Sequence, residues 1–169
     1  METGSAGDAA RPLSPAGRRA VEELAQFLAG TDWQPDRAFA SPLARAQESA
    51  RILLLGVPRE VETLAELDPV YEPAAVLAAL AERGVRDGQV LLVGHQPLLA
   101  RLAALLEARQ ERALAPAGLI RLAFTTELGP GLGQLELERA RLGLVQGQTP
   151  GRRDGTGNDI AAESASDAP

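Results

Sequence analysis

The sequence predicts an α/β fold in which a mostly parallel central sheet, flanked by helices, forms the middle of a three-layer sandwich. Short apolar strand patterns alternate along the chain with helical segments of 10–15 residues, the arrangement typical of a parallel sheet. Residues 89–94 form a short continuous apolar run of the kind found in buried parallel strands. The length of 169 residues fits one domain with a real core.

Proline marks the start of most predicted helices, because its missing N–H costs nothing in the first turn. Ser14 and Ser41 each precede such a proline and are predicted to be hydroxyl N-caps. Apolar residues at helical spacing follow, and Gly30 and Gly56 supply stops. The predicted helices span approximately residues 15–29, 43–55, 73–83 and 97–109.

The strands are predicted from short apolar or alternating runs that lie between these helices. They cover residues 36–40, 60–64, 89–94, 119–124 and 133–138. After position 145 the composition changes to small and polar residues without periodicity. We therefore expect a domain over residues 1–145 and a disordered polar tail over residues 146–169.

The residue inventory excludes several kinds of chemistry. The chain has no cysteine and one histidine, and all 17 of its basic residues are arginine. A lysine-dependent phosphate loop, Schiff-base chemistry, thiol nucleophiles and cysteine-ligated zinc are thereby excluded. Any catalysis has to use carboxylates, hydroxyls, arginines and the imidazole of His95.

Charge and hydropathy limit the expected partners and location. The net charge of −6 argues against a nucleic-acid surface, which requires a basic stripe. No apolar run approaches the roughly 20 residues that span a bilayer, and the N-terminus does not resemble a signal peptide. We expect a cytoplasmic protein that binds neither nucleic acid nor membrane. Its oligomeric state is left open.

Two strand-to-helix junctions share one construction. The strand at 36–40 leads through Ser41 into a helix that carries Arg45 in its first turn, and the strand at 89–94 leads through His95 into the next helix. Ligands of open α/β sheets bind at the carboxyl ends of the strands, where helix N-termini favour anions. An arginine and an imidazole at that edge would suit a phosphate.

Simpler interpretations of the same residues remain open at this point. Arg45 fits a solvated first-turn side chain, and Ser41 fits a plain helix cap. His95 fits a structural hydrogen-bonding group at a strand end. Position alone does not decide between these interpretations and a phosphate pocket.

Three motifs resemble the histidine phosphatase (phosphoglycerate mutase-like) superfamily. Residues 40–50 resemble its Ser-Pro-Leu-x-Arg-Ala-x-Gln-Thr-Ala segment, and residues 90–97, ending Val-Gly-His-Gln-Pro, resemble its second histidine segment. Residues 11–17, Arg-Pro-Leu-Ser-Pro-Ala-Gly, are similar to the Arg-Pro-Leu-Thr-x-x-Gly of small SixA-type phosphohistidine phosphatases. The motifs stand in the family's order and cover about residues 11–124.

The resemblance implies roles for individual residues. Arg45 would clamp a phosphate and His95 would support the phosphoryl oxygens, with Ser41 and Gln96 contributing to substrate binding. Glu66, after the strand at 60–64, is a possible general acid, although an exposed carboxylate beside a turn is the simpler interpretation. The family needs no metal or cofactor. The substrate would be a phosphorylated protein, with phosphohistidine favoured, or a small phosphate ester.

One departure from the family pattern affects the expected activity. Family members begin with an apolar strand ending in Arg-His-Gly, whose histidine is the nucleophile; this sequence has no such strand and no second histidine. The first strand of the sheet is therefore expected to be missing. Two explanations stay open: the chain starts downstream of the motif, or it is a pseudophosphatase that has lost the nucleophile. In either case we expect these 169 residues to be inactive.

Overall fold

The computed structural model describes residues 5–124, 128–140 and 143–146. Two three-stranded sheets and five α-helices occur in these ranges, and the predicted alternation of strands and helices is confirmed. The helices are α1 (Ser5–Ala9), α2 (Pro15–Ala29), α3 (Ala44–Leu53), α4 (Pro73–Glu82) and α5 (Leu98–Glu107). The strands are β1 (Arg37–Ala40), β2 (Val61–Thr63), β3 (Val90–Val93), β4 (Leu119–Ala123), β5 (Gln134–Ala140) and β6 (Gly143–Gln146).

The first sheet is parallel and has the order β2-β1-β3. β1 pairs with both neighbours, and its last residue, Ala40, lies opposite Thr63 on one side and Val93 on the other. The carboxyl ends of all three strands therefore lie at one edge of the sheet. The second sheet is antiparallel, with the order β4-β5-β6.

Helices cover both faces of the parallel sheet, as the three-layer prediction requires. On one face, Phe39 packs into a cluster with residues of α4 and α5, including Val76 and Leu102. On the other face, Ala38 and Leu91 pack with Leu54 at the end of α3. The helix α2 packs in turn against α3. The alternation of side chains along β1 thus divides the core into two clusters.

The structure differs from the predicted elements at three places. The segment before residue 10 contains the short helix α1, and the strand β6 follows β5; no periodicity marked either one. The predicted cap at Ser41 is wrong, because α3 has Leu43 at its N-cap. The Ser41 N–H bonds the Val93 carbonyl at 2.9 Å, which extends the ladder of the sheet and delays the start of the helix. The predicted cap at Ser14 is confirmed, since its side chain accepts from the Gly17 N–H at 3.0 Å.

Residues 147–169, most of the segment predicted as a disordered tail, lie outside the described residues, so that prediction stays a prediction. Within the described ranges, no helix combines the length and apolar content needed to cross a membrane.

Candidate active site

The two strand-to-helix junctions predicted to form a site meet at the carboxyl edge of the parallel sheet. Ser41 comes directly after β1, and Gly94 alone separates His95 from β3. The pairing of Ala40 with Val93 brings the two junctions side by side. The Ser41 Oγ lies 2.9 Å from the His95 Nε2. Because Ser41 is fully buried, this hydrogen bond fixes one side of the imidazole from within the protein.

The hydroxyl of Ser41 also connects the site to the start of α3. The Leu43 N–H donates to the Ser41 Oγ at 3.3 Å. The hydroxyl therefore joins the imidazole to the backbone turn that leads to Arg45. The prediction that Ser41 contacts substrate is not tested by this geometry, which gives its side chain a positioning contact with His95.

Arg45, in the first turn of α3, is close enough to His95 for its charge to act on the imidazole. The pKa of His95 is lowered from its usual value, first by burial and then by the positive charge of Arg45. Asp68 and Asp8 oppose this effect and raise the pKa. The net lowering favours the neutral imidazole, which can accept a proton or a hydrogen bond near neutral pH.

The guanidinium of Arg45 is held by the N-terminal segment. Its Nη1 donates to the Asp8 carbonyl at 3.0 Å, and its Nη2 lies 3.2 Å from the Asp8 Oδ2. The Arg11 Nε is 3.8 Å from the other carboxylate oxygen of Asp8. The carboxylate of Asp8 thus lies between Arg45 and Arg11, and a phosphate at this place could accept hydrogen bonds from the same donors. No local pattern in the sequence predicts this contact, because it joins positions 37 residues apart.

Gln47 ties the ends of two strands together beside the site. Its Nε2 donates to the Ser41 carbonyl at 2.8 Å and lies 3.2 Å from the Thr63 Oγ1. Glu48, the next residue of α3, connects α3 to the start of α2. Its carboxylate accepts a hydrogen bond from the Leu13 N–H at 2.9 Å and pairs with Arg18. α3 therefore positions Arg45 and also anchors the segment that lies over it.

The remaining predicted site residues are placed less directly. Gln96 follows His95 and is exposed, so it lies at the surface of the site. Glu66 lies in a 3-10 helix after β2, and its Oε2 is buried without a hydrogen-bond partner. Asp68, two residues further on, is the carboxylate of this loop that acts on His95. The assignment of Glu66 as a general acid stays a prediction.

The described part of the chain contains no group of three or more histidine, aspartate or glutamate side chains that could hold a metal ion. The arrangement offers instead a guanidinium fork, a half-buried imidazole and the N-terminal ends of α3 and α5 at one sheet edge. These are donors for an oxyanion.

Comparisons with known proteins agree with this chemistry. The model of the histidine phosphatase superfamily (branch 1) matches residues 3–70. No curated protein matches the sequence. A structure of the protein histidine phosphatase SixA complexed with tungstate is similar over 82% of this chain and 90% of its own, with 26% identity and a TM-score of 0.69.

Two further structures share the fold. One, assigned as a SixA phosphohistidine phosphatase from Nakamurella multipartitia, is 22% identical over 80% of this chain and 88% of its own, with a TM-score of 0.68. Another, assigned likewise from Agrobacterium tumefaciens, is 20% identical over 79% of this chain and 85% of its own, with a TM-score of 0.64. The resemblance drawn from the three sequence motifs is therefore confirmed.

Proposed function

From this likeness to the histidine phosphatase superfamily and to SixA in particular, we propose that the sheet edge bearing Arg45 and His95 is the phosphoryl-binding site of a metal-independent phosphohistidine phosphatase. The observation that carries the proposal is the bond between Ser41 and His95 across two paired strands, beside the charge of Arg45. A solvated arginine or an isolated structural histidine would not need this joint arrangement.

The chemistry follows from the charge of Arg45 and from the hydrogen-bonding groups of both side chains. Arg45 offers two parallel N–H donors that match two phosphoryl oxygens, and its permanent charge balances the anion. Ser41 holds one ring nitrogen of His95, and we propose that the other ring nitrogen contacts the phosphoryl group. As negative charge builds on the oxygens in the transition state, donors already in place stabilise it without reorganisation.

The proposed substrate is a phosphorylated signalling or phosphotransfer protein. Support comes from the exposure of Gln96 beside the site and from the similarity to a protein histidine phosphatase that binds tungstate, an oxyanion with the geometry of phosphate. A small phosphate ester would meet the same donors. Gln96 would contribute to binding at the open side of the pocket.

A polypeptide of these 169 residues has one histidine, and the proposed role of His95 is to support the phosphoryl group. Covalent catalysis of this type requires a separate nucleophile. We therefore propose that the 169-residue protein binds oxyanions and does not hydrolyse phosphohistidine. The second candidate function, a pseudophosphatase that binds phosphorylated partners, rests on the same lack of a second histidine.

Calorimetric titration with tungstate and with inorganic phosphate tests the site. We expect 1:1 binding that Arg45→Ala weakens at least tenfold. Arg51→Ala, which removes an exposed arginine from the last turn of the same helix, is the matched control and should bind as the parent does. Equal affinity of both variants, or no binding by the parent, would refute the oxyanion site.

Turnover separates the two candidate functions. A version extended at its N-terminus by an apolar strand ending in Arg-His-Gly is incubated with a phosphohistidine peptide, and free phosphate is followed by phosphorus NMR. The phosphatase proposal expects hydrolysis by the extended protein and none by the 169-residue protein. Binding without hydrolysis by the extended protein would favour the pseudophosphatase.

A further inference from the structure

Two adjacent apolar side chains are exposed in the loop at residues 68–72, which connects the 3-10 helix after β2 to α4. Val70 is 81% exposed and Tyr71 is 40% exposed. In the part of the chain that the structure describes, the other exposed large apolar residues are Leu55 and Leu132, which are distant from this loop in the sequence. Single exposed apolar residues are ordinary, whereas a pair beside a candidate site indicates a contact surface.

Both ends of this loop are held against the segment that carries His95. A Cβ atom built on Gly94 would lie 3.3 Å from the Leu67 carbonyl oxygen, so the backbone just before the loop lies against the residue that precedes His95. At the other end, the Glu72 carboxylate pairs with Arg101 of α5, the helix that follows His95. The loop is therefore fixed beside the candidate site at two points.

Asp68 gives the loop a defined turn and places that turn near the imidazole. Its Oδ1 accepts a hydrogen bond from the Val70 N–H at 3.1 Å, and its carbonyl accepts one from the Tyr71 N–H at 3.1 Å. Although burial chiefly lowers the pKa of His95, the charge of Asp68 acts to raise it, which requires the carboxylate to lie near the ring. The turn thus presents both apolar side chains next to His95.

Apolar surface also lies on the second loop that borders His95. Pro97, two residues after His95, is exposed, and so is Pro69, the residue before Val70. The candidate site therefore has exposed apolar residues on both loops around the imidazole.

The place of this surface decides which class of ligand can cover it. A free phosphate meets the donors of Arg45 and His95 but brings no apolar surface to the loop. A polypeptide that carries a phosphohistidine brings its flanking side chains to the same edge. Burial of valine and tyrosine against apolar flanks is favourable, and tyrosine is enriched at protein interfaces. A stable dimer would need about 800 Å² from each copy, more than these few side chains offer.

We propose that Val70 and Tyr71 select histidine-phosphorylated polypeptides with apolar residues beside the phosphohistidine, by packing against those residues while Arg45 and His95 hold the phosphoryl group. This selection rests on the function proposed for Arg45 and His95 and adds a substrate preference to it. Because Val70 and Tyr71 contact the polypeptide, they determine the affinity for the peptide and leave the affinity for a free oxyanion unchanged.

Calorimetric titration of the 169-residue protein with two synthetic peptides tests this preference. Both peptides carry a stable triazole analogue of phosphohistidine, flanked by leucines in one peptide and by serines in the other. We expect the leucine peptide to bind about tenfold more tightly, because it buries apolar surface of both side chains. Equal affinities in a protein that binds tungstate would overturn the preference and leave the oxyanion site standing. A protein that does not bind tungstate would refute the site and the preference together.

A double variant and its control locate the preference. Val70→Ser combined with Tyr71→Ser removes both apolar side chains, and Leu55→Ser changes a leucine that is 86% exposed beyond the end of α3 opposite Arg45. Thermal unfolding first establishes that both proteins fold. We expect the double variant to bind the two peptides equally and tungstate as the parent does, and Leu55→Ser to keep the preference. A double variant that still prefers the leucine peptide would overturn the assignment to Val70 and Tyr71.

Tyr71 supplies a direct readout in the unsubstituted protein, because it is the only tyrosine of the chain. With isotope-labelled tyrosine, its ring NMR signals should shift on saturation with the leucine peptide and stay in place on saturation with tungstate. Ring signals that do not move with the leucine peptide would overturn the contact. Ring signals that shift with protein concentration alone would identify a second copy of the chain as the occupant and would equally contradict the proposal.

Discussion

The central strand of the parallel sheet, β1, and the first strand of the antiparallel sheet, β4, differ in how completely they are buried. Three of the four residues of β1 are buried, and Phe39 has no exposed surface. Every residue of β4 is only partly buried. β1 is paired on both sides, whereas β4 is paired only with β5 among the described strands. The more deeply buried of these two strands leads into the candidate site, because Ser41 comes directly after β1.

The largest expected effect comes from shortening a buried side chain of β1, the central strand of the parallel sheet. Phe39→Ala removes a fully buried ring and should lower the free energy of unfolding by about 3–5 kcal/mol. Leu122→Ala in β4 should cost about 1 kcal/mol, because part of that side chain is already exposed to water. Urea unfolding measures both values. Similar losses in the two variants would contradict the comparison.

A smaller effect is expected from Ser41→Ala, which removes the buried link between the two junctions. The imidazole nitrogen and the Leu43 N–H both lose a partner, so unfolding should become easier by about 1–2 kcal/mol. The nitrogen NMR signal of the His95 Nε2 should move as well. Ser49→Ala, whose hydroxyl donates to the Arg45 carbonyl, is the matched control and should leave that signal in place.

The pH dependence of His95 gives a further test of the buried site. Its pKa is lowered in the folded protein, chiefly by burial, so the unfolded chain binds the proton more readily. The contribution to stability is present above the unfolded pKa of about 6.5 and is lost as the pH falls through the folded value.

The chain has one histidine, so a single imidazole signal in a proton NMR titration reports this pKa. A midpoint below that of a histidine in the urea-unfolded protein is expected. In His95→Gln, the part of the pH dependence of stability between the two midpoints should disappear. A midpoint above the unfolded one would refute the assigned direction.

The smallest expected effect concerns the exposed contact above the site. Asp8→Asn removes the carboxylate that pairs with Arg45 and should increase tungstate affinity by about two- to fivefold, in keeping with the modest strength of exposed ion pairs. Asp32→Asn changes an exposed carboxylate outside the site and is the control. Calorimetry at low and high salt should show the gain shrinking as salt rises. Unchanged or weaker affinity would mean that Asp8 does not compete with the anion.

Local patterns in the sequence were sufficient to predict most of the fold. Proline at residues 15 and 73, with apolar positions at helical spacing, predicted α2 and α4 within a residue of their ends. Continuous apolar character predicted β3, because a strand covered on both faces needs no alternation. α1 and β6 escaped prediction because neither shows an apolar pattern: α1 consists of small and polar residues, and β6 has two apolar residues between Gly143 and Gln146.

The candidate site was predictable in its main members and not in their partners. Arg45 and His95 follow strand ends, and parallel strands bring such residues to one edge. The bond from Ser41 to His95 depends on the register between β1 and β3, which a single sequence does not specify. The contact of Asp8 with Arg45 depends on how the N-terminal segment folds back over α3, which likewise leaves no local pattern.

The register between β1 and β3 also determines where the chain tolerates insertions. Side chains alternate along a strand, so one extra residue within Arg37–Ala40 or Val90–Val93 would exchange the two faces of that strand and would separate Ser41 from His95. An extra residue in the exposed loop at residues 58–60 would leave this alignment intact. Lineages that keep the site at Arg45 and His95 should therefore vary in length at that loop and keep a constant length in these two strands.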